Sequence, residues 1–204
     1  MARQKTARVK DKWREKKWVT VLAPSAFNNV PVAYIPITAD ASAMGRVIEV
    51  TLFDIMKGDP SQHQYKLYFQ INKIEGEMAT TIFKRYEYAK EFLRSLVRRG
   101  SSLINFIGDY KTKDGYIFRI KIIALTQKKL NTSRKHALRL IARDVMSKTI
   151  PEMTIEQFVQ ATAFGKINSD IMAAVKKIIH VRHVGIEKAK IIRTAEAEIA
   201  LLQA

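Results

Sequence analysis

A strand-rich first part followed by a helix-rich second part predicts an α+β fold, with a basic extension ahead of it. Three observations carry this. Period-two apolar alternation punctuated by hairpin turns recurs up to about residue 130, and 3.6-residue periodicity replaces it from Ser133. The first 17 residues hold 8 basic and 2 acidic residues and lack apolar periodicity. Six or seven short strands joined by tight turns could curl into a small antiparallel β-barrel flanked by helices, an architecture that removes exposed edges. The expected organisation is a basic arm over 1–17 and a single globular domain over 18–204. Within that domain, 18–130 is β-rich with one helix, 131–179 is helical, and 180–204 is a return strand and tail.

The elements follow in order. WVTVLA from Trp18 reads as a strand stopped by Pro24, and a proline-punctuated connection follows. Arg46 to Phe53 alternates as a strand continuing to Asp54, and Lys57-Gly58-Asp59-Pro60 is a turn. Tyr65, Leu67, Phe69 and Ile71 share one strand face, after which Glu75-Gly76-Glu77 turns the chain into the β-branched run Thr80 to Phe83. Ala89, Phe92, Leu93, Leu96 and Val97 have the spacing of a helix with one buried stripe, ended by Gly100. Leu103 to Tyr110 and Tyr116 to Leu125 form a hairpin at Asp114-Gly115, with Tyr116, Phe118, Ile120 and Ile122 on one face and Arg119 and Lys121 on the other.

Ser133 is the expected N-cap of a helix burying Ala137, Leu138, Ile141, Ala142 and Val145. Thr154 and Gln157 match a capping box opening a helix to about Gly165. A further helix from Ser169 turns Ile171, Ala174, Val175 and Ile178 inward, and Val184 to Ile192 returns to strand alternation. The closing AEAEIALLQA is a short helix or frayed tail.

A chain of 204 residues with 47% apolar content, 8 Gly and 5 Pro is globular. It is long enough to bury roughly 70% of its unfolded surface. With no Cys, disulfides, cysteine nucleophiles and thiolate metal sites are excluded, in keeping with a reducing compartment. An uncharged run from Trp18 to Ala39, preceded by basic residues and followed by Ala41-Ser42-Ala43, mimics a secretory signal. Pro24, Asn28, Asn29, Pro31 and Pro36 break it, so it is read as part of the fold and not as a signal or membrane span.

The net charge of +17, from 36 Lys and Arg against 19 Asp and Glu, calls for a polyanionic partner. Lys84 to Arg143 carries 16 basic and 4 acidic residues, a local net of +12. Candidate phosphate contacts are Arg3, Lys5, Arg8, Lys10, Lys12, Arg14, Lys16 and Lys17 in the arm, then Arg94, Arg98, Arg99, Lys111, Lys113, Lys128, Lys129, Arg134, Lys135, Arg139 and Arg143. Lys135, Arg139 and Arg143 recur every fourth residue as a ridge about 12 Å long. Trp13 in the arm either docks on the domain or stacks on RNA. No phosphate-cradling glycine loop, Walker lysine, His-Glu-x-x-His or Gly-x-Ser-x-Gly motif occurs, so no catalytic residue, metal site or cofactor is assigned. His180 and His183 lack further ligands and read as structural or RNA-facing, and Glu49, Asp54 and Asp59 read as turn and strand acids.

LRSLVRR (93–99), then YKTKDGYIFRI (110–120), then the basic helix with His136, Arg139 and Arg143 resemble the archaeal and eukaryotic small-subunit ribosomal protein family S-three-a-e, also written e-S-one. GRVIEVTLF (45–53) and VGIEKAKII (184–192) are similar to its members too, and the short C-terminus resembles the archaeal form. The resemblance implies a β-barrel core with flanking helices and a structural role in the small ribosomal subunit, on its platform near the messenger exit. It further implies ribosomal RNA and neighbouring ribosomal proteins as partners, messenger RNA near the exit as a further contact, no enzymatic activity, and a cytoplasmic, ribosomal location. Arg98, Arg99, Lys111, Lys113 and the Arg134 to Arg143 helix would then face RNA. The alternative reading is a free RNA-binding translation factor or RNA chaperone that holds single strands on Tyr65, Tyr68 and Tyr116.

Overall fold

In a computed structural model, which describes residues 11 and 13–193, the chain is a mixed α+β structure. Its strands are β1 (Lys17–Leu22), β2 (Pro31–Ile37), β3 (Val47–Thr51), β4 (Tyr65–Glu75), β5 (Met78–Tyr88), β6 (Leu103–Lys111), β7 (Ile117–Thr126) and β8 (Val181–Arg193). Its helices are α1 (Asp40–Ala43), α2 (Leu52–Met56), α3 (Lys90–Leu96), α4 (Thr132–Thr149), α5 (Ile155–Ala163) and α6 (Lys166–Lys176). The two expected hairpins form: β4 runs antiparallel to β5, and β6 to β7, with Gly115 at φ 84° where the tight turn needs a left-handed residue. Five-residue α2 and seven-residue α3 owe little to propensity. Thr51 and Asp54 close a reciprocal capping box that turns the end of the expected 46–53 strand into α2.

The strands form one curved eight-stranded sheet that branches and does not close into a complete barrel. β5 is the branch point. One edge pairs with β4 along most of its length, and β4 carries β3. The other edge takes β1 in parallel at Met78 and Ala79, then β8 antiparallel from Arg85 to Glu87, leading on to β7 and β6. The strand beyond the expected six or seven is β2, which the prolines disguise as a connection. Pro31 and Pro36 are tolerated because β2 pairs with β1 alone, on an edge where a missing N–H costs no ladder bond. The signal-like run from Trp18 to Ala39 is therefore the β1–β2 ribbon.

Of several register shifts in the sheet, two bulges at its centre keep the apolar faces of β5 and β8 in phase. Lys84 is the extra residue between Phe83 and Arg85 opposite Tyr68 and Phe69, so Phe83, Tyr86 and Tyr88 all stay buried. Glu187 does the same in β8 opposite Lys121 and Ile122, between buried Ile186 and Ala189. At Gly185 a Cβ would stand 2.0 Å from the Tyr88 hydroxyl oxygen, so that close approach requires glycine.

The main core lies between the sheet and α4–α6. Leu138, Ala142 and Met146 of α4, Phe158 of α5, and Ile167, Ile171 and Val175 of α6 are buried there with Phe118, Ile120 and Ile122. Phe118 and Phe158, both fully buried, pack with ring centroids 4.6 Å apart. Burying one such ring contributes about 1.5–3 kcal/mol. A second, smaller core of Val19, Val21, Ile37, Ala43, Ile71 and Ala79 seats the β1–β2 ribbon. Three helical expectations shift. α4 starts after Asn131 and not Ser133, without a side-chain cap; α6 starts after Gly165, leaving Ile178 beyond its end and 59% exposed; and α3 stops at Leu96, leaving Val97 extended and exposed ahead of Gly100. The Thr154–Gln157 capping box of α5 forms as expected.

Candidate nucleic-acid interface

Sequence neighbours such as Arg98 and Arg99 sit together by necessity, whereas the remaining candidates are gathered by the β6–β7 hairpin. Ser102, just ahead of β6, accepts the Thr126 amide at 3.1 Å on its carbonyl and the Leu130 amide at 3.0 Å on its hydroxyl. The Lys128 carbonyl accepts the Thr126 hydroxyl at 2.7 Å. These bonds hold the Arg98–Ser101 turn and the Lys128–Leu130 loop at one end of the hairpin, with Arg98, Arg99, Lys128 and Lys129 all exposed. α4 begins at once after this loop, which adds exposed Arg134 and half-buried Lys135. His180 joins the same end, its carbonyl receiving the Gln127 amide at 3.4 Å.

The basic ridge of α4 then runs beside β6, an edge strand that pairs only with β7. Arg139 turns its Nε onto the Asn105 carbonyl at 3.2 Å, satisfying an acceptor on the open edge, so part of its donor set is spent on protein. Arg143 lines a recess with Phe106 to Tyr110 and Ser147. Lys111 closes the strand, and Lys113 sits in the hairpin turn, its amide bonded to the Met153 carbonyl at 3.1 Å. Asp114 in that turn accepts the first amide of α5, from Ile155, at 2.7 Å. Nine residues of strand span about 30 Å, so these cations form one band along the β6 edge, with Arg94 of α3 lining a shallow groove near its start.

The arm candidates lie elsewhere. Arg3, Lys5, Arg8, Lys10 and Lys12 fall outside the described residues, as does the 195–204 tail. Arg14 lies 4.0 Å from the Asp11 carboxylate, and exposed Lys17 opens β1, which β5, β8 and β7 separate from β6. Trp13 is 61% exposed and its ring faces Lys16 Nζ at 3.5 Å, so it is not docked in the core.

The outward face of β5, β8 and β7 is a second basic surface, and the candidate residues do not include it. Register places Arg85 beside Lys190 and Lys190 beside Arg119, with Lys188 beside Lys121 in the next row. Lys84, Arg119, Lys121, Lys188 and Lys190 line a groove of about 430 Å3 here, with exposed Ile107 and Ile192. Several are engaged: Arg119 makes two 2.8 Å bonds to Asp109, Lys121 donates to Glu187 at 2.7 Å, and Lys188 lies 3.2 Å from Glu87. Arg119 holds Asp109 below the ordinary carboxylate range. The cations still outnumber these carboxylates, leaving a positive face. The period-two spacings of Arg119 with Lys121 and of Lys188 with Lys190 are its visible signs in the sequence.

The remaining polar candidates have structural partners. Glu49 pairs with Lys66 at 2.7 Å, which lowers its pKa, and Asp54 is in the capping box of α2. His183 packs against both the Tyr88 and Phe92 rings, which also touch each other, and burial first and Arg182 second lower its pKa, while His180 is exposed. Among the described residues no three His, Asp or Glu converge as a metal site, and no helix is long and apolar enough to cross a membrane. Tyr65 packs on Tyr86 and Tyr88, Tyr68 lies under the Arg85 guanidinium at 3.8 Å, and Tyr116 is partly buried, so none of the three offers an open stacking face.

Comparison with known proteins shows what the whole chain is similar to. Residues 4–195 match the model of the ribosomal S3Ae family. The chain is 43% identical over 192 residues to small ribosomal subunit protein eS1 of Desulfurococcus amylolyticus, covering 94% of this chain and 90% of that protein. Proteins of the same name from Saccharolobus islandicus and Saccharolobus solfataricus are 40% and 41% identical over 188 residues, covering 92% of this chain and 90% of theirs.

Proposed function

The chain belongs to the ribosomal S3Ae family, and from that premise we propose that it is an integral constituent of the small ribosomal subunit that binds ribosomal RNA chiefly through the phosphate backbone. Its role is structural, as befits a family of ribosomal proteins and not of enzymes. The observation that carries the RNA reading is the band of Arg98, Arg99, Lys128, Lys129, Arg134, Arg143 and Lys111 along the β6 edge. Cations spread over about 30 Å, with few carboxylates among them, suit a long phosphate track better than a compact ligand. Arginine supplies bidentate grip and lysine point charge, while the deep groove of helical RNA leaves phosphate and shape as what is read. The groove across β5, β8 and β7 is a second phosphate surface in this reading. By likeness to the family, the protein sits on the platform near the messenger exit, among other ribosomal proteins and within the cytoplasm.

Sedimentation of cell extract through a high-salt sucrose gradient, with the chain quantified in each fraction, tests this reading. The expected result is near one copy per small subunit, retained when loosely bound factors are stripped. Release by salt, or residence at the top of the gradient, would make the chain a free RNA-binding factor and overturn the proposal.

A further inference from the structure

The aromatic residues that remain open are not those that strand alternation first suggests. Trp18 is 63% and Tyr34 70% exposed, and Met78 beside them 57%. Register puts them on one face. Trp18 pairs with Pro36, Thr20 pairs with Tyr34, and Thr20 also lies beside Met78 of β5, while Val19 and Val21 point the opposite way into the small core. Directly paired residues share a side of a sheet, so the outer surface of the ribbon is Trp18, Tyr34, Pro36 and Met78. Among the described residues no ion pair or hydrogen bond engages either ring, and a monomer seldom leaves two such rings uncovered on adjacent strands.

Geometry and charge narrow what covers them. Trp18 and Tyr34 are diagonal neighbours across the β1–β2 pair, a separation of about 7 Å. That is the spacing of their backbones, and it puts both aromatic side chains within reach of a single nucleotide. A cation stands at the same end of the ribbon. Arg46 is held by three protein acceptors, with Nε on the Ser42 carbonyl at 2.9 Å, Nη2 on the Ser42 hydroxyl at 3.3 Å and Nη1 at 3.5 Å on the carbonyl of Pro36, the residue opposite Trp18. None of these acceptors is a carboxylate, so the guanidinium is oriented while its charge stays unpaired. Lys17 pairs with buried Ile37 and so belongs to the opposite side of the ribbon, with Val19 and Val21. Open rings alone would suit an apolar protein partner, but rings beside an oriented guanidinium without a carboxylate suit a base with its phosphate.

We propose that the outer face of the β1–β2 ribbon is a stacking site for unpaired RNA bases, in which Trp18 and Tyr34 hold a base and Arg46 takes an adjoining phosphate. The site rests on the ribosomal reading only for which RNA supplies the base, and it adds single-strand recognition to a protein otherwise reading backbone.

The chain has two tryptophans, so Trp13→Phe leaves Trp18 as the sole indole emitter. Full-length protein with that change is titrated with a single-stranded RNA 12-mer, a duplex of the same length, and heparin as a polyanion without bases. The single strand should quench Trp18 and bind more tightly than the duplex. In separate unlabelled competition assays, Trp18→Ala and Tyr34→Ala should each weaken single-strand binding about tenfold, with heparin affinity and the salt slope unchanged and Trp18→Phe retaining most of the binding. Equal binding of single strand and duplex without quenching would overturn the site, as would an equal loss for heparin. Variants that bind RNA normally but fail to enter subunits would make the patch a protein contact, which also overturns it. Quenching in the Trp13→Phe protein needs no truncation at Trp18 or Tyr34, so the result is readable even if an alanine variant folds poorly. The gradient measurement does not depend on it, and either result can fail alone.

Discussion

The two cores of this molecule hold their strands differently. Around the main core, α4, α5 and α6 cover the sheet from one side, and the opposite face of that sheet is tied by Arg119–Asp109, Lys121–Glu187 and Lys188–Glu87. The small core has no long helix. Its ribbon joins β5 through the register pairs Thr20–Met78 and Val21–Ala79, with the Thr81 hydroxyl bonded to the Leu22 carbonyl at 2.7 Å. Its outer face carries open rings in place of ion pairs. Where the sheet is clamped on both sides its outer face is charged and partly cross-tied by ion pairs, and where it is lightly anchored its outer face is aromatic and open.

The comparison can be broken at its strong side first. Phe158→Ala removes the ring packed at a tilt against Phe118 and should cost about 3–5 kcal/mol, read as a single lowered unfolding transition by chemical denaturation. A loss confined to α5, with the remaining sheet intact, would show that the helices are not what binds the main core.

Ile37→Val in the small core should cost about 0.5–1.5 kcal/mol. Hydrogen exchange should locate that loss, with amides of β1 and β2 opening faster while those of β7 and β8 keep their protection. Uniform acceleration would make the two cores one cooperative unit.

The smallest expected effect sharpens the main core's edge. His183, packed against Tyr88 and Phe92, has a native pKa below 6.5 because burial disfavours the imidazolium, and Arg182 adds repulsion. The unfolded chain therefore takes the proton first, so stability is complete above about pH 6.5 and declines as pH falls toward the lowered native value. The melting temperature should drop between pH 7.5 and 5.5, and His183→Phe should flatten that drop.

Much of the fold could be read from local pattern because its signals are local. The Asp114-Gly115 turn, the Thr154–Gln157 capping box and the Phe118, Ile120, Ile122 stripe each depend on residues within a few positions of one another. β2 was hidden because proline suppresses strand propensity, and only its place on an edge makes Pro31 and Pro36 acceptable. The arginine and lysine candidates were visible as a charge excess, but Arg139 turning onto the Asn105 carbonyl was not, since no local pattern announces an open strand edge. Lys84, Lys188 and Lys190 went unselected for a related reason, lying on strands far apart in the chain that become neighbours through the β5–β8 register.

By itself the sequence determined the α+β class, the order of most elements, the absence of cysteine chemistry and the large positive charge, because composition and short-range periodicity set these. The tertiary structure alone decided that the sheet branches at β5, where bulges keep its faces in phase, and which aromatic rings are buried and which stay open. Those outcomes depend on pairing between distant strands, where a shift of one residue would send every side chain to the opposite face.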